Sequence, residues 1–219
     1  RNGASRWIRV PVFSTFQPSE AAKLAVVLFL ANLFAKKYDR LDDPGVSLYP
    51  AAVGVFAFVL VVFLQDDFST AVFLLITALF MFFIVGVKLH WFAVFILITA
   101  ALSILFIFDE AYRANRVIAF LKPELDINGL NYQIRVSRRA ISAGGFWGQG
   151  LGGIQRSNAI PEVQADFIFA GWAEAMGLIG VVLYFILLAF FACRAFSIAF
   201  KCPERFRSLC AFGCALIIV

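Results

Sequence analysis

The chain has 219 residues, of which 62% are hydrophobic, and its formal net charge is +5. A soluble globular domain is closer to half apolar, so this composition excludes an ordinary soluble domain. Several apolar runs reach the roughly 20 residues that a helix needs to cross a bilayer, which indicates a polytopic membrane protein. In such a protein the placement of Lys and Arg matters more than their sum, so the positive charge does not indicate a nucleic-acid partner.

The predicted elements are membrane-spanning helices, because backbone polar groups in lipid must be satisfied within their segment and no alternating barrel pattern is present. The fold class is therefore all-α, a polytopic helix bundle. In chain order the spans are predicted at 17–35, 47–64, 69–87, 90–108 and 166–193, followed by a sixth that starts near Arg207 and is cut short. We interpret residues 1–219 as a single integral membrane domain from the middle of a longer protein, since there is no initiator Met or signal peptide.

Lys and Arg in the short connections predict the orientation. Basic residues follow the first span, separate the third from the fourth and follow the fifth: Lys36, Lys37, Arg40, Lys88, Arg194, Lys201, Arg205 and Arg207. These connections are predicted to be cytoplasmic, which places the acidic turn QDDFS (65–69) and the long segment 109–165 outside. We interpret Asp66 and Asp67 in that turn as solvated rather than as a cation site.

The long outer segment is basic, although long segments translocate despite their charge. Its stretch NYQIRVSRRAISAGG places Arg135, Arg138, Arg139 and Ser142 on one helical face, with two isoleucines on another. Such a helix can lie in the membrane interface and present guanidinium groups, which suit phosphate recognition. The simpler alternative is a basic loop that rests on membrane lipid headgroups.

The glycine-rich stretch GGFWGQGLGG (144–153) follows directly and lacks the Lys-Ser/Thr ending of a nucleotide P-loop. Its glycines favour a tight approach between backbones, and a flexible connector is an equal alternative.

Charged residues at or within spans are the candidates for chemistry, since such charges usually mark a functional cavity. Glu20 and Lys23 lie at i and i+3 near the start of the first span and can pair there; the alternative is an ion pair that only anchors the helix end. Asp166 and Glu174 open the fifth span. One outer-face cavity could therefore hold carboxylates, a lysine and several arginines above an apolar wall. That combination suits a substrate with a lipid tail, a phosphate linker and a polar head.

Several motifs occur in the order and spacing of one family: NGASRW (2–7), QPSEAAK (17–23), QDDFST (65–70), YRANRVIAFLKPELDINGLNYQ (112–133), FWGQGLG (146–152) and IPEVQADFIFAGWAEAMGLIG (160–180). The chain resembles the SEDS family of FtsW, RodA and SpoVE proteins over nearly its whole length. The resemblance implies a ten-helix fold with a large extracytoplasmic loop, of which this fragment covers the fourth helix through part of the ninth. NGASRW and WGQGLG favour the FtsW branch, which acts in division.

The resemblance implies a peptidoglycan glycosyltransferase that polymerises lipid II at the outer face of the bacterial cytoplasmic (inner) membrane. Its implied partners are a class B penicillin-binding protein, the transpeptidase, and other divisome or elongasome proteins. By motif match Asp166 is the candidate general base, and Glu20 with Lys23 matches the family's QPxExxK pair. The candidate substrate-binding residues are Arg6, Trp7, Arg113, Arg116, Arg135, Arg138, Arg139 and Glu174. A divalent cation could assist, but the sequence shows no dedicated cage for one and indicates no other cofactor.

The sequence departs from the family pattern in three places. Gln164 and Ala165 replace the usual His-Thr before the aspartate, Ala175 and Met176 replace the Glu-Leu that follows the first glutamate, and QDDFST differs from the common form. The carboxylates themselves are retained. Two other functions stay open here: a flippase or other transporter for lipid-linked precursors, because intramembrane charges also mark transport paths, and a non-catalytic division scaffold.

The predicted orientation can be tested by thiol labelling in a background without the native cysteines. A cysteine at Asn128 should react with an impermeant reagent on intact spheroplasts, because helix parity and the Lys/Arg bias place 109–165 outside. A cysteine at Arg40 is the matched control and should react only after lysis. Labelling of position 128 only after lysis would contradict the orientation and the outer-face site.

Overall fold

The computed structural model describes residues 17–41, 43–65, 67–88, 91, 93–94, 96–97, 100–101, 132–153, 157 and 167–219. Within these ranges every regular element is helical, which confirms the all-α prediction. The α-helices are α1 (Pro18–Lys36), α2 (Leu48–Phe63), α3 (Phe68–Val85), α4 (Tyr132–Gly144), α5 (Ile168–Lys201) and α6 (Arg205–Ile218), with a short 3-10 helix at Tyr38–Arg40. The helices α1, α3 and α5 are long and apolar enough to cross a membrane, and α2 is a shorter apolar helix.

The first three predicted spans differ from α1, α2 and α3 by at most two residues at each end. In the fourth, residues 91, 93–94, 96–97 and 100–101 are helical, and the remainder lies outside the described residues. The helix α5 continues to Lys201, beyond the predicted end of the fifth span at 193. The end of this span was predicted from Arg194. A long arginine side chain can reach the membrane interface while the backbone at that residue continues as a helix.

The chain divides into two compact units, 1–103 with 192–219 and 104–191. In the first unit α1 packs against α2, α3 and α6, and α3 also packs against α2 and α6. The central position of α1 follows from its apolar face, where the fully buried residues are Val26, Val27, Leu30, Ala31 and Phe34. The single-domain organisation stays a prediction.

Two contacts show how closely the helices pack around α1. The ring of Phe34 meets the ring of Phe82 on α3 edge-on, with centroids 5.1 Å apart. On α6, Gly213 allows close approach, since a Cβ atom there would lie 2.4 Å from Val27 Cγ1. Both contacts pack α1 closely against its neighbouring helices. Glu20 and Lys23 lie near the start of this helix.

The helices of this unit alternate in direction as predicted. At one end, Ser19 at the start of α1 donates a hydrogen bond to Asp67 beside the start of α3. At the other end, the Arg205 guanidinium at the start of α6 lies 3.4 Å from the ring centroid of Tyr38 and 3.4 Å from Asp39 Oδ1. The basic connections 36–40 and 201–207 therefore share one end of the bundle, which the charge pattern predicts to be cytoplasmic.

The interpretation of Asp67 as a solvated turn residue is wrong, since Asp67 is only 4% exposed. Its Oδ1 accepts hydrogen bonds from Thr70 N at 3.3 Å and Ser69 Oγ at 3.2 Å, which caps the start of α3. Its Oδ2 accepts bonds from Ser19 Oγ at 2.8 Å and Gln17 Nε2 at 2.9 Å, which ties α3 to α1. The neighbouring Asp66 lies outside the described residues.

The charge state of Asp67 follows from two opposing effects. Burial raises the pKa of this carboxyl, but the hydrogen bonds from Ser19, Thr70 and Ser69 together outweigh burial and hold the pKa below the ordinary value of 3.8. Since the folded-state pKa is depressed, Asp67 stabilises the fold above its unfolded pKa. That stabilisation is lost as the pH falls through the folded-state pKa.

We expect Asp67→Asn to lower the melting temperature of the detergent-solubilised protein by roughly 3–12 °C at pH 7. Hydrogen bonds to a charged group contribute about 1.5–3 kcal/mol, and about 1 kcal/mol moves the midpoint of a chain of this size by roughly 2–4 °C. The difference from wild type should shrink as the pH falls below 3.8. Asp39→Asn is the control, because its exposed ion pair contributes under about 1 kcal/mol. A pH-independent difference would refute the electrostatic explanation.

Candidate functional site

The described part of the second unit comprises α4, the glycine-rich stretch 144–153, Ser157 and the first part of α5. The buried residues of α4 are small and lie on one helical face: Ser137, Ala140 and Gly144. A Cβ atom at Gly144 would lie 2.1 Å from the Ala173 carbonyl oxygen. The small face therefore lets the backbone of α4 touch the backbone of α5.

The helix α5 is interrupted at Gly177, which has φ 64° and ψ −165°. The apolar pattern predicts a single fifth span, 166–193, and does not indicate this interruption. Gly177 therefore divides the 34 residues of α5 into a short helix, 168–176, and a longer apolar helix, 178–201. The longer helix corresponds to about 36 Å, which is enough to cross a hydrocarbon core of about 30 Å.

The interruption frees backbone groups that would otherwise pair within the helix, and the glycine-rich stretch binds them. Leu178 N donates to Gly145 O at 2.9 Å, and Ile179 N donates to Phe146 O at 3.3 Å. In return, the carbonyls of Glu174 and Ala175 accept bonds from the N–H groups of residues 149 and 150, both at 3.0 Å. These four hydrogen bonds replace the helical hydrogen bonds that are missing at Gly177. They satisfy backbone N–H and C=O groups that would cost free energy if they were unpaired near lipid.

Glycine is required at both sides of this contact. Gly148 has φ +80°, and a Cβ atom there would lie 2.2 Å from the Ala175 carbonyl oxygen. Gly177 has φ +64°, and its Cβ atom would lie 2.3 Å from Gly148 N. The prediction of a tight backbone approach is confirmed, and the alternative of a simple connector is wrong.

The predicted basic face of α4 is confirmed. Arg138, Arg139 and Ser142 are exposed on the side away from the small residues, and Arg135 is half-buried. Ile141, on the other predicted face, is also 41% exposed, because the packed face is the one made of small residues. The two exposed guanidinium groups are available to an anion.

Glu174 is the one carboxylate among the described residues of this unit, and it has 0% exposure. Its Oε2 accepts a hydrogen bond from the backbone N–H of Ser157 at 2.8 Å. Ser157 is equally buried, and its Oγ has no hydrogen-bond partner among the described residues. The side chain of Glu174 therefore binds the chain that leads from the glycine-rich stretch towards Asp166.

Glu20 and Lys23 pair in the first unit, as their spacing predicts. Lys23 Nζ lies 2.8 Å from Glu20 Oε1 and 2.9 Å from Oε2, and it also lies 5.1 Å from the ring centroid of Phe73. The Glu20 side chain is 56% exposed and that of Lys23 is 20% exposed. An exposed pair of this kind contributes under about 1 kcal/mol to the stability of the fold. A gain in stability therefore does not account for two charged residues near the start of a span.

The remaining predicted site residues lie outside the described residues; they are Asp166, Arg6, Trp7, Arg113 and Arg116. The single cavity that joins the carboxylates to the arginines stays a prediction. In the described part of the chain, no group of three or more His, Cys, Asp or Glu side chains is placed to hold a metal ion. A divalent cation at the site also stays a prediction.

Comparison with known proteins decides the family. All residues, 1–219, match the model of the FtsW, RodA and SpoVE family, described as cell cycle protein. The chain belongs to this family.

Curated relatives agree with this membership. The probable peptidoglycan glycosyltransferase FtsW of Haemophilus ducreyi is 35% identical over 98% of this chain and 55% of its own length. The protein of the same name from Geobacter sp. (strain M18) is 36% identical over 99% of this chain and 59% of its own. That from Escherichia coli O157:H7 is 38% identical over 92% and 49%, respectively. The chain thus spans about half the length of these relatives.

A solved structure shows the same fold. It is described as structural coordination of polymerization and crosslinking by a peptidoglycan synthase complex, and one of its chains matches with a TM-score of 0.76. The match covers 100% of this chain and 60% of that chain at 23% identity. The helical bundle fragment that the motifs predicted is therefore confirmed at the level of the fold.

Two local structural features of this FtsW/RodA/SpoVE family member were not predicted, because the sequence patterns that indicate them are weak. Asp67-Phe-Ser-Thr70 has the spacing of a helix N-cap, in which the side chain accepts from the third following N–H group. Gly177 sits between apolar residues, where a glycine is often tolerated, so the sequence alone gave little reason to expect an interruption.

Alanine at Gly148 should disrupt the contact between the glycine-rich stretch and α5. A left-handed residue with a Cβ costs about 1–2 kcal/mol, and overlap with the Ala175 carbonyl adds a similar amount. We expect a melting temperature in detergent lower by roughly 5 °C or more. The control is Gly152→Ala, because a Cβ atom there would meet nothing within 4 Å. Equal melting temperatures for the two variants would contradict the proposed tight contact.

Proposed function

We propose that this protein is a peptidoglycan glycosyltransferase that polymerises lipid II into glycan strands. The observation that carries the proposal is the match of the whole chain to one family, together with relatives named probable peptidoglycan glycosyltransferase FtsW that are 35% and 36% identical to it over the aligned region. The exposed ion pair of Glu20 and Lys23 and the exposed guanidinium groups of α4 supply the charges that such a substrate needs.

The proposed chemistry is a base-assisted displacement. The 4-hydroxyl of the acceptor sugar is a poor nucleophile unless a positioned carboxylate takes its proton, and Asp166 is the proposed base. The hydroxyl oxygen bonds to the anomeric carbon of the lipid-linked donor with inversion. The bond from that carbon to the phosphate oxygen breaks, and undecaprenyl pyrophosphate leaves with the electron pair.

Cationic groups are proposed to stabilise the leaving pyrophosphate. Lys23 suits this role because its ammonium group is held by one carboxylate and the face of Phe73, with part of its surface exposed. Arg138 and Arg139 suit it because they project from α4 on the face opposite the packed one. Arg6, Trp7, Arg113 and Arg116 are proposed contacts by motif, and a divalent cation could share the task.

The proposed setting is the bacterial cytoplasmic (inner) membrane, with the reaction at its outer face. A class B penicillin-binding protein is the proposed transpeptidase partner, with other division proteins, because the named relatives belong to the FtsW branch. The start of α1, with Glu20, and the start of α3 lie at the end of the bundle opposite the basic connections. This arrangement supports an outer position for the ion pair.

The test is glycan-strand formation from labelled lipid II by the full-length protein in complex with its transpeptidase. Asp166→Asn keeps the shape of the side chain but cannot take the proton, so strand formation should fall at least about 10²–10⁴-fold. Asp39→Asn, in the exposed connection after α1, is the control and should retain activity.

The complex should stay intact in both variants, which co-purification of the partner would establish. Near-normal strand formation by Asp166→Asn would exclude Asp166 as the base and leave Glu20 as the next candidate. Lipid movement without any polymer from the wild-type complex would favour the transporter instead.

A further inference from the structure

The short and the longer helix of α5 form a tight hairpin around Gly177. In one continuous straight helix, the Cα atoms of Phe169 and Phe185 would lie about 24 Å apart, at about 1.5 Å per residue. Their ring centroids are instead 5.8 Å apart, and the centroids of Phe169 and Tyr184 are 6.1 Å apart. The short helix therefore runs back along the beginning of the longer helix, and the chain reverses its direction at Gly177.

Contacts nearer to the turn agree with this reversal. The indole N–H of Trp172 donates a hydrogen bond to the Gly180 carbonyl at 3.2 Å. A Cβ atom at Gly180 would overlap Met176 Cβ, so the absence of a side chain there lets the two helices approach closely. The glycine-rich stretch lies at the tip of the hairpin, because its carbonyls accept the first N–H groups of the longer helix, those of Leu178 and Ile179.

The exposed surface of the short helix is apolar. Its most exposed side chains are Ile168 at 67%, Trp172 at 40% and Phe169 at 38%, and its one charged residue, Glu174, has no exposed surface. A helix at the surface of a soluble protein presents polar residues on its open face. The open face of this helix is suited to an apolar environment instead.

The sizes of the side chains indicate that this environment is lipid. Where helices pack against each other inside a membrane, their contacts are enriched in small residues. The small residues of the short helix, Ala170, Ala173 and Ala175, are buried within the unit. The side chains on the open face are large and branched or aromatic, which is typical of a surface that faces acyl chains.

The longer helix sets the depth of the hairpin in the membrane. Its length of about 36 Å slightly exceeds a hydrocarbon core of about 30 Å, so its first residues lie close to one surface of the core. At the same level, the tip exposes Phe146 at 56%, Trp147 at 79% and Leu151 at 73%. Aromatic side chains are enriched at the membrane–water interface, which fits this position.

We propose that residues 168–176 form a re-entrant half-helix, which starts inside one leaflet of the bilayer and rises to its surface at Gly177. Its open face contacts lipid acyl chains, and Phe146, Trp147 and Leu151 lie in the headgroup region. Ile168 is nine residues from Gly177 and therefore lies about 13 Å below the tip. On the predicted orientation this leaflet is the outer one.

Depth-dependent fluorescence quenching tests this arrangement in the full-length protein. Single cysteines replace Leu151, Ile168 or Ile186 in a background without the native cysteines, and each carries the same fluorophore. The protein is reconstituted in vesicles of phosphatidylethanolamine and phosphatidylglycerol, with lipids that are spin-labelled either near the headgroup or deep in the acyl chain. Ile186 is the matched reference, because it is 58% exposed and lies as many residues after Gly177 as Ile168 lies before it.

We expect the fluorophores at positions 168 and 186 to report the same depth, roughly 10 Å or more below the fluorophore at position 151. The deep spin label should quench positions 168 and 186 most, and the shallow label should quench position 151 most. Iodide in the aqueous phase should quench position 151 alone. Quenching of position 168 by iodide would overturn the half-helix. If neither lipid nor iodide quenches position 168, protein covers this face and the lipid contact is refuted.

A second matched pair keeps the test decisive if Ile168→Cys does not insert into the membrane. Trp172→Cys and Val182→Cys lie five residues before and after Gly177, about 7 Å below the tip of the hairpin. Their fluorophores should report equal depths, between those of positions 151 and 186. Iodide quenching at position 172 together with lipid quenching at position 182 would overturn the proposal, because the short helix would then lie in water.

Discussion

The second unit depends on the interruption of α5 at Gly177 and its repair by the glycine-rich stretch. A helix near lipid must satisfy its backbone groups internally or through protein, and here four hydrogen bonds from residues 145–150 replace the missing turn. Because the repair uses main-chain groups on both sides, it requires the close approach that Gly148 and Gly177 allow. It fixes the backbone of Glu174, which in turn holds Ser157.

The first unit depends on a different kind of contact. There α1 is held by apolar packing against three helices, and its start is held by Asp67, whose carboxylate binds donors from α1 and α3. Burial and multiple donors make Asp67 structural, whereas the nearby pair of Glu20 and Lys23 is partly exposed and adds little stability. The same end of the first unit thus contains one buried carboxylate that stabilises the fold and another that is partly exposed.

The charged side chains described above fall into two groups. Arg138 and Arg139 on α4 of the second unit are exposed, and the ion pair of Glu20 and Lys23 on α1 of the first unit is partly exposed. Asp67 and Glu174 are instead buried, and their carboxylates accept hydrogen bonds from protein donors. The function proposed above needs charges of the first kind, which are held in place without being buried completely.

The sequence by itself determined the class of protein, the positions of the first three spans, the pairing of Glu20 with Lys23 and the basic face of α4. Each of these follows from the spacing of residues along one helix or from the length of an apolar run. Such features do not depend on contacts with neighbouring helices. Only the tertiary structure decided that Asp67 is buried, that α5 is interrupted at Gly177 and that Glu174 binds Ser157. These depend on donors and backbone groups supplied by distant parts of the chain, and a carboxylate or glycine looks the same in sequence whether or not such partners reach it.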